Sequence, residues 1–115
     1  MSYKQLSPQL MASIAERFRV LAEPLRLQIL SELYEREQTV TELMDTLGQS
    51  HANISKHLQL LYKYRFVDRR KAGLRAYYRL ANEDVFELCD IMCDRLKADA
   101  TQQLEIIDGI LNSTT

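Results

Sequence analysis

This chain predicts a mainly α-helical fold that carries one small β-hairpin. Three observations lead there. Glycine and proline together number five in 115 residues, too few for a turn-rich β protein. Apolar residues recur three and four apart through most of the chain, the spacing of one helix face. Only between Phe66 and Leu80 does the period change to the alternation of strands. The length is that of a single domain, residues 1–115.

Each element has its own signals. Ser7–Pro8 offers an N-cap followed by proline at the first helical position, where a missing N–H costs nothing. The helix it opens should run to about Leu21, with Leu10, Met11, Ile14, Phe18 and Leu21 as its apolar stripe. Glu23–Pro24 interrupts it, and Pro24 starts a second helix through Leu27, Ile29, Leu30 and Leu33. TVTE at 39–42 has capping-box spacing: the Thr39 hydroxyl accepts from a free backbone N–H while Glu42 reaches back to another. The short helix it starts ends at Gly48, a left-handed C-cap.

SHANISKHLQLLY (50–62) follows, and it has two unlike sides. Placed at about 100° per residue, Ile54, Leu58 and Leu61 share one narrow face. Ala52, Lys56, Gln59 and Lys63 lie opposite, with Gln49 and Asn53 on one shoulder and His51 and Ser55 on the other. FVDRRK and RAYYRL flank AG, which reads as a β-hairpin with a basic tip. Asn82 caps a last helix reaching Leu111, with Glu83 and Asp84 near its positive end. A short helix, a glycine turn and a second amphipathic helix make a helix-turn-helix. The hairpin after it makes a wing.

The net charge of −1 hides a segregation. From Gln49 to Arg79 eight basic residues face one acid, Asp68, a balance of +7. The remainder holds seven bases and fifteen acids, or −8. That polarity suits a polyanion-binding face on an otherwise acidic surface. No stretch is apolar for long enough to span a membrane, and the N-terminal MSYKQLSPQLMASIAERF lacks the apolar core of a leader. Two cysteines suit a reducing compartment. A cytoplasmic protein without a membrane association is expected.

A helix fits the major groove of duplex DNA, where side chains must be polar, long and not acidic. Gln49, Asn53 and Lys56 are the candidates for base edges, and Ala52 is small enough to allow close approach or to meet a thymine methyl. Ser50, His51 and Ser55 are candidates for phosphates. Arg70, Lys71 and Arg75 bracket the wing tip, placed to follow the backbone or enter a minor groove, whereas Arg69 should point the other way. Gln59 and Lys63 read equally as solvated surface. His57, at the margin of the apolar face, reads as a hydrogen-bonded structural residue, and one of Tyr77 and Tyr78 as core.

LAEPLRLQILSEL (21–33), ELMDTLGQSHANISKHLQLL (42–61) and FVDRRKAGLRAYYRL (66–80) together resemble the ArsR/SmtB family of bacterial winged helix-turn-helix repressors. The resemblance covers about residues 14–96 in the right order. It implies a homodimer whose first and last helices form the seam, whose two recognition helices meet a palindromic operator in double-stranded DNA, and which represses transcription until an inducer lowers its affinity. Family metal sites do not carry over. The cysteine positions of one correspond to Thr39 and Thr41, poor ligands for soft metals. The Asp, His, His and Glu positions of the other, on the last helix, correspond to Asn82, Asp84, Arg95 and Ala98, which cannot make a tetrahedral site. No metal or cofactor is therefore expected.

Cys89 and Cys93 remain, one turn apart beside the stripe Val85, Leu88, Met92, Leu96, Leu104, Ile107 and Ile110. Two readings stand. Free cysteine packs as a small hydrophobe, and a dimer seam accommodates one. Alternatively, thiols facing the same way near a two-fold axis gather into a cluster that an oxidant, a sulfur species or a soft ion such as arsenite would address. Asp90 and Asp94 beside them oppose thiolate formation. The inducer, if there is one, is not legible. An interaction adaptor without DNA binding would show acids or large apolars on the helix front, and none occurs. A thiol oxidoreductase would want CxxC at a helix start. No catalytic constellation is visible, so the chain reads as a non-enzyme.

Overall fold

The computed structural model describes residues 5–113. Residues 1–4, part of the segment read as leaderless, and the end of the polar tail NSTT lie outside them. In chain order the elements are α1 (Pro8–Leu21), α2 (Pro24–Glu35), β1 (Gln38–Thr39), α3 (Val40–Leu47), α4 (His51–Lys63), β2 (Val67–Ala72), β3 (Arg75–Leu80) and α5 (Asp84–Ser113). The chain divides after Asn82 into a first unit and a second one containing α5.

Local chemistry sets the boundaries of the first unit. The Ser7 hydroxyl accepts from Leu10 N–H, and Pro8 begins α1. Glu23 caps α2 through its carboxylate, which accepts from Arg26 N–H at 3.0 Å. Thr39 and Glu42 form the reciprocal capping box of α3. Gly48 closes α3 at φ 66° and donates to Met44 O at 2.8 Å. Ser50 caps α4 by accepting from Asn53 N–H. α4 ends in a Schellman arrangement, with Arg65 N–H donating to Tyr62 O and Phe66 N–H to Leu61 O. That motif requires a left-handed residue, and Arg65 takes it at φ 67° without being glycine.

These boundaries match the expected ones closely, with four differences. The β structure is a three-stranded sheet of order β1-β3-β2, because Gln38 and Thr39 pair antiparallel with Tyr78 and Tyr77. Two residues carry no periodicity, so β1 was not predictable. The wing turn is Gly73–Leu74, one residue later than AG, since Ala72 still pairs with Arg75. α4 starts at His51, which leaves Gln49 in the turn between the two helices. The last helix begins at Asp84, two residues past Asn82.

The core of the first unit lies where α2, α3, α4 and the sheet meet. Ile29, Leu30, Leu43, Ile54, Leu58, Leu61 and Val67 are its fully buried side chains. Each contributes about 1.5–3 kcal/mol of apolar burial. The predicted back of α4, Ile54, Leu58 and Leu61, is wholly inside, and this fixes which face of α4 looks outward. On α1 only Val20 and Leu21 are buried, while Leu10, Met11, Ile14 and Phe18 stay 37–54% exposed. On α5 the stripe residues Leu88, Met92, Leu96, Leu104, Ile107 and Ile110 are 42–65% exposed.

Candidate nucleic-acid interface

With its back buried, α4 presents Ala52, Lys56, Gln59 and Lys63 to solvent, all exposed. Ser50 and His51 are exposed at its start, and Asn53 and Ser55 are half-buried on its flanks. The Asn53 amide donates to Gln49 Oε1 at 2.8 Å. The two amides expected to reach base edges are thus bonded to each other, four residues apart, and act as one unit. On the other shoulder Ser55 Oγ lies 3.4 Å from His51 Nδ1.

Two recesses open on different flanks of α4. One, of about 430 Å³, lies between α4 and the wing tip; His51 and Ser55 line it from α4, Leu74, Arg75 and Ala76 from the hairpin, and Thr39–Glu42 from the start of α3. Thr39 and Thr41, the positions matched to family cysteines, lie here. The other, of about 280 Å³, lies between α4 and the start of α2, and Arg26, Lys56, His57, Gln59, Leu60 and Lys63 line it. The His51–Ser55 shoulder of α4 and the wing tip therefore face a common recess, while Lys56, Gln59 and Lys63 border the other one.

The hairpin's cations divide between its two faces. The register pairs Arg69 with Tyr78, Arg70 with Tyr77, Lys71 with Ala76 and Ala72 with Arg75, so Lys71, against expectation, shares the face of Arg69, while Arg70 and Arg75 take the opposite one. Arg69 stacks on Tyr62 of α4, its guanidinium 4.5 Å from the ring centroid. Arg70 differs from expectation. Its Nη2 and Nε donate to the Glu37 carboxylate at 2.5 and 3.1 Å, and its guanidinium lies 4.5 Å from the centre of the Tyr77 ring. Hydrogen bonding from Arg70 holds Glu37 below the usual carboxylate range, and Glu37 in turn raises Arg70. Arg70 is thus a partly neutralised clasp between the hairpin and the segment before β1, not a free cation of the tip. Lys71 and Arg75 remain exposed there.

His57 is 7% exposed, as its place at the margin of the apolar face implied. Its Nδ1 lies 3.0 Å from Arg26 Nη1. A guanidinium has no acceptor, so the imidazole accepts at Nδ1 and is neutral with its proton on Nε2. Burial lowers the His57 pKa, the charges of Arg26 and Lys56 lower it further, and Glu23 opposes them. Arg26 also donates through Nε to Val20 O at 2.5 Å. One arginine thereby ties the end of α1 to α4 through the start of α2.

Tyr78 is buried and Tyr77 half-buried beneath Arg70, so one of the pair is core as expected. Glu37, Arg26 and Leu74 were not singled out by sequence. The partners of the first two stand 33 and 31 residues away, beyond any local pattern. Leu74 had a signal, an apolar residue directly after a turn glycine between basic strands. Cys89 and Cys93 are free on α5, the first half-buried and the second exposed. Among the described residues no three His, Cys, Asp or Glu side chains converge as metal ligands would. None of their helices is long and apolar enough to cross a membrane.

Residues 23–69 match the family model described as "Bacterial regulatory protein, arsR family". The HTH-type transcriptional regulator KmtR of Mycobacterium tuberculosis is 40% identical over 75 residues, 65% of this chain and 58% of that protein, so the chain spans less than two thirds of KmtR. The transcriptional repressor SmtB homolog of Synechocystis is 32% identical over 99 residues, 82% of this chain and 75% of that one. In structure, the chain resembles the homodimeric winged helix-turn-helix DNA-binding domain of Mb0332 from Mycobacterium bovis. Their TM-score is 0.68 at 32% identity, over 78% of this chain and 89% of that one. With the capped α3, the glycine turn, the half-buried α4 and the winged sheet in the same order, the chain belongs to the ArsR/SmtB family of bacterial transcriptional regulators and has its winged helix-turn-helix fold.

Proposed function

We propose that the chain is a homodimeric, sequence-specific transcriptional repressor, acting in the cytoplasm on a palindromic operator. α4 lies in the major groove, with Gln49, Asn53 and Lys56 at base edges and Ala52 giving close approach. Ser50, His51 and Ser55 hold phosphates on one flank, and Lys71 and Arg75 follow the backbone from the wing. Arg70 contributes only when Glu37 releases it. The observation that carries this reading is the recess lined jointly by α4 and the wing tip. A helix in a major groove and a wing in the adjoining minor groove must straddle one phosphodiester strand, and this recess is where that strand passes. The exposed stripes of α1 and α5 are the surfaces a second copy would cover, which doubles the contacts and sets half-sites about one helical turn apart.

A salt series on the duplex upstream of the chain's own gene tests this. Lys71 and Arg75 from two protomers make four phosphate contacts, so log K against log salt should fall with a slope of about −4 or steeper. A flat dependence, or equal affinity for a scrambled duplex, would refute the proposal.

A thiol-reactive inducer is the proposed release. Cys93 is exposed and Cys89 half-buried on α5, where thiols of two protomers can approach. An oxidant that takes two electrons from two such thiols leaves a disulfide across the dimer and two protons. Arsenite bound by the same sulfurs is the second reading. Operator affinity of the native protein and of a Cys89→Ser/Cys93→Ser variant should diverge with hydrogen peroxide, polysulfide or arsenite. An identical response to all three assigns the thiols to packing alone.

A further inference from the structure

Leu74 occupies the second position of the two-residue wing turn and is wholly exposed, at 107% relative accessibility. Nothing in the turn calls for it. Gly73 at φ 64° supplies the left-handed first position of a II′ turn, and the second ordinarily takes a small polar residue. The side chain packs into no core, so the fold gains nothing from it. Two cations flank it, Lys71 and Arg75, on strands whose pairing continues to Ala72 and Arg75 at the base of the turn. The tip is therefore an apolar point on a stiff basic arm, at the lip of the recess between wing and α4.

Resting on the DNA-binding reading, we propose that Leu74 is a specificity-determining contact, pressed into the minor groove of the operator beside the phosphodiester strand that crosses the recess. Lys71 and Arg75 meet phosphates, which carry no sequence. Leucine is among the side chains that enter minor grooves as apolar wedges. It reads the groove floor by what is missing there. A G·C pair places the guanine N2 amino group on that floor, and a leucine would strip it of water without offering an acceptor. An A·T pair has no such donor. Leu74 accordingly favours A·T pairs at the wing position, outside the bases that α4 reads. Its rigid mounting keeps the ordering cost of that contact small.

The test uses 30-base-pair duplexes enriched from a randomised library by the native protein, with the wing position located by footprinting. Leu74→Asn suits the turn and should unfold at the same temperature as the native protein or above. Its affinity for an enriched duplex should fall about 10-fold or more, two tips being lost per dimer, with an unchanged salt slope. Native protein should bind more weakly when the wing-position A·T pairs become G·C, and recover with inosine·C, which lacks the amino group. Leu74→Asn should not distinguish the three duplexes. Equal affinity of both proteins, or no recovery with inosine, overturns the role of Leu74 while leaving DNA binding intact. Failure to enrich any duplex overturns the DNA-binding reading itself, and this role with it.

Discussion

Replacing Arg65 with glycine should stabilise the protein. The residue closes the Schellman arrangement at the end of α4 with φ 67°. Any residue with a Cβ pays about 1–2 kcal/mol in that conformation. Glycine adopts it freely but loses about 0.5–1 kcal/mol through its more flexible unfolded chain. The net gain is about 0.5–1 kcal/mol. Both backbone hydrogen bonds, Arg65 N–H to Tyr62 O and Phe66 N–H to Leu61 O, survive the change, and the side chain is exposed. Urea unfolding at one fixed protein concentration is the assay, because a dimer's midpoint depends on concentration. With a slope of about 1–3 kcal/mol/M, the midpoint should rise by about 0.2–1 M. Arg65→Ala is the control, since it removes the same charge and keeps the Cβ. If Arg65→Gly is no more stable than Arg65→Ala, the backbone is not the cause and the reasoning fails. The position also sets how the chain turns from α4 into β2, so operator affinity should be measured alongside.

Three further outcomes follow from the same geometry. Gly48→Ala puts a Cβ on the φ 66° cap between α3 and α4; the site is otherwise open, so the cost should be the conformational one less the entropy the unfolded chain no longer gains from glycine, about 0.5–1 kcal/mol by thermal or urea unfolding. His57 is held neutral below its ordinary pKa, so its contribution is complete above about pH 6.5 and declines as pH falls toward the folded-state value, the unfolded chain taking up protons first. Stability of the native protein should therefore drop more steeply between pH 7 and 5 than that of His57→Gln, and parallel curves would contradict this. Glu37→Gln removes the carboxylate that holds Arg70; anisotropy titrations should show tighter low-salt DNA binding and a salt slope steeper by about 1 per protomer that engages the freed arginine. An unchanged slope would leave Arg70 a clasp alone.

Much of the fold was legible because its signals are local. Ser7–Pro8, Glu23–Pro24, the Thr39–Glu42 box and Gly48 each act within four residues of themselves, and the structure bounds α1, α2 and α3 at those points. The back of α4 was equally plain, since Ile54, Leu58 and Leu61 repeat at helical spacing and only a core absorbs such a stripe. Arg65 shows the limit even of local reading: nothing in its chemistry marks a left-handed residue, and the surrounding hydrogen bonds impose it.

What the chain determined alone was which residues are helical, which face of each helix is apolar, and that positive charge concentrates between Gln49 and Arg79. These depend on side-chain chemistry at spacings of one to four residues. The tertiary structure alone decided that β1 exists, that the wing tip and α4 share a recess, that Glu37 holds Arg70, and that Arg26 holds His57. Each is a meeting of residues about 20 to 40 positions apart in the chain, fixed by how helices and strands fill a common core. A cation's usefulness at a DNA surface depends on its partner as much as on its charge, and partners become visible only once the chain has closed.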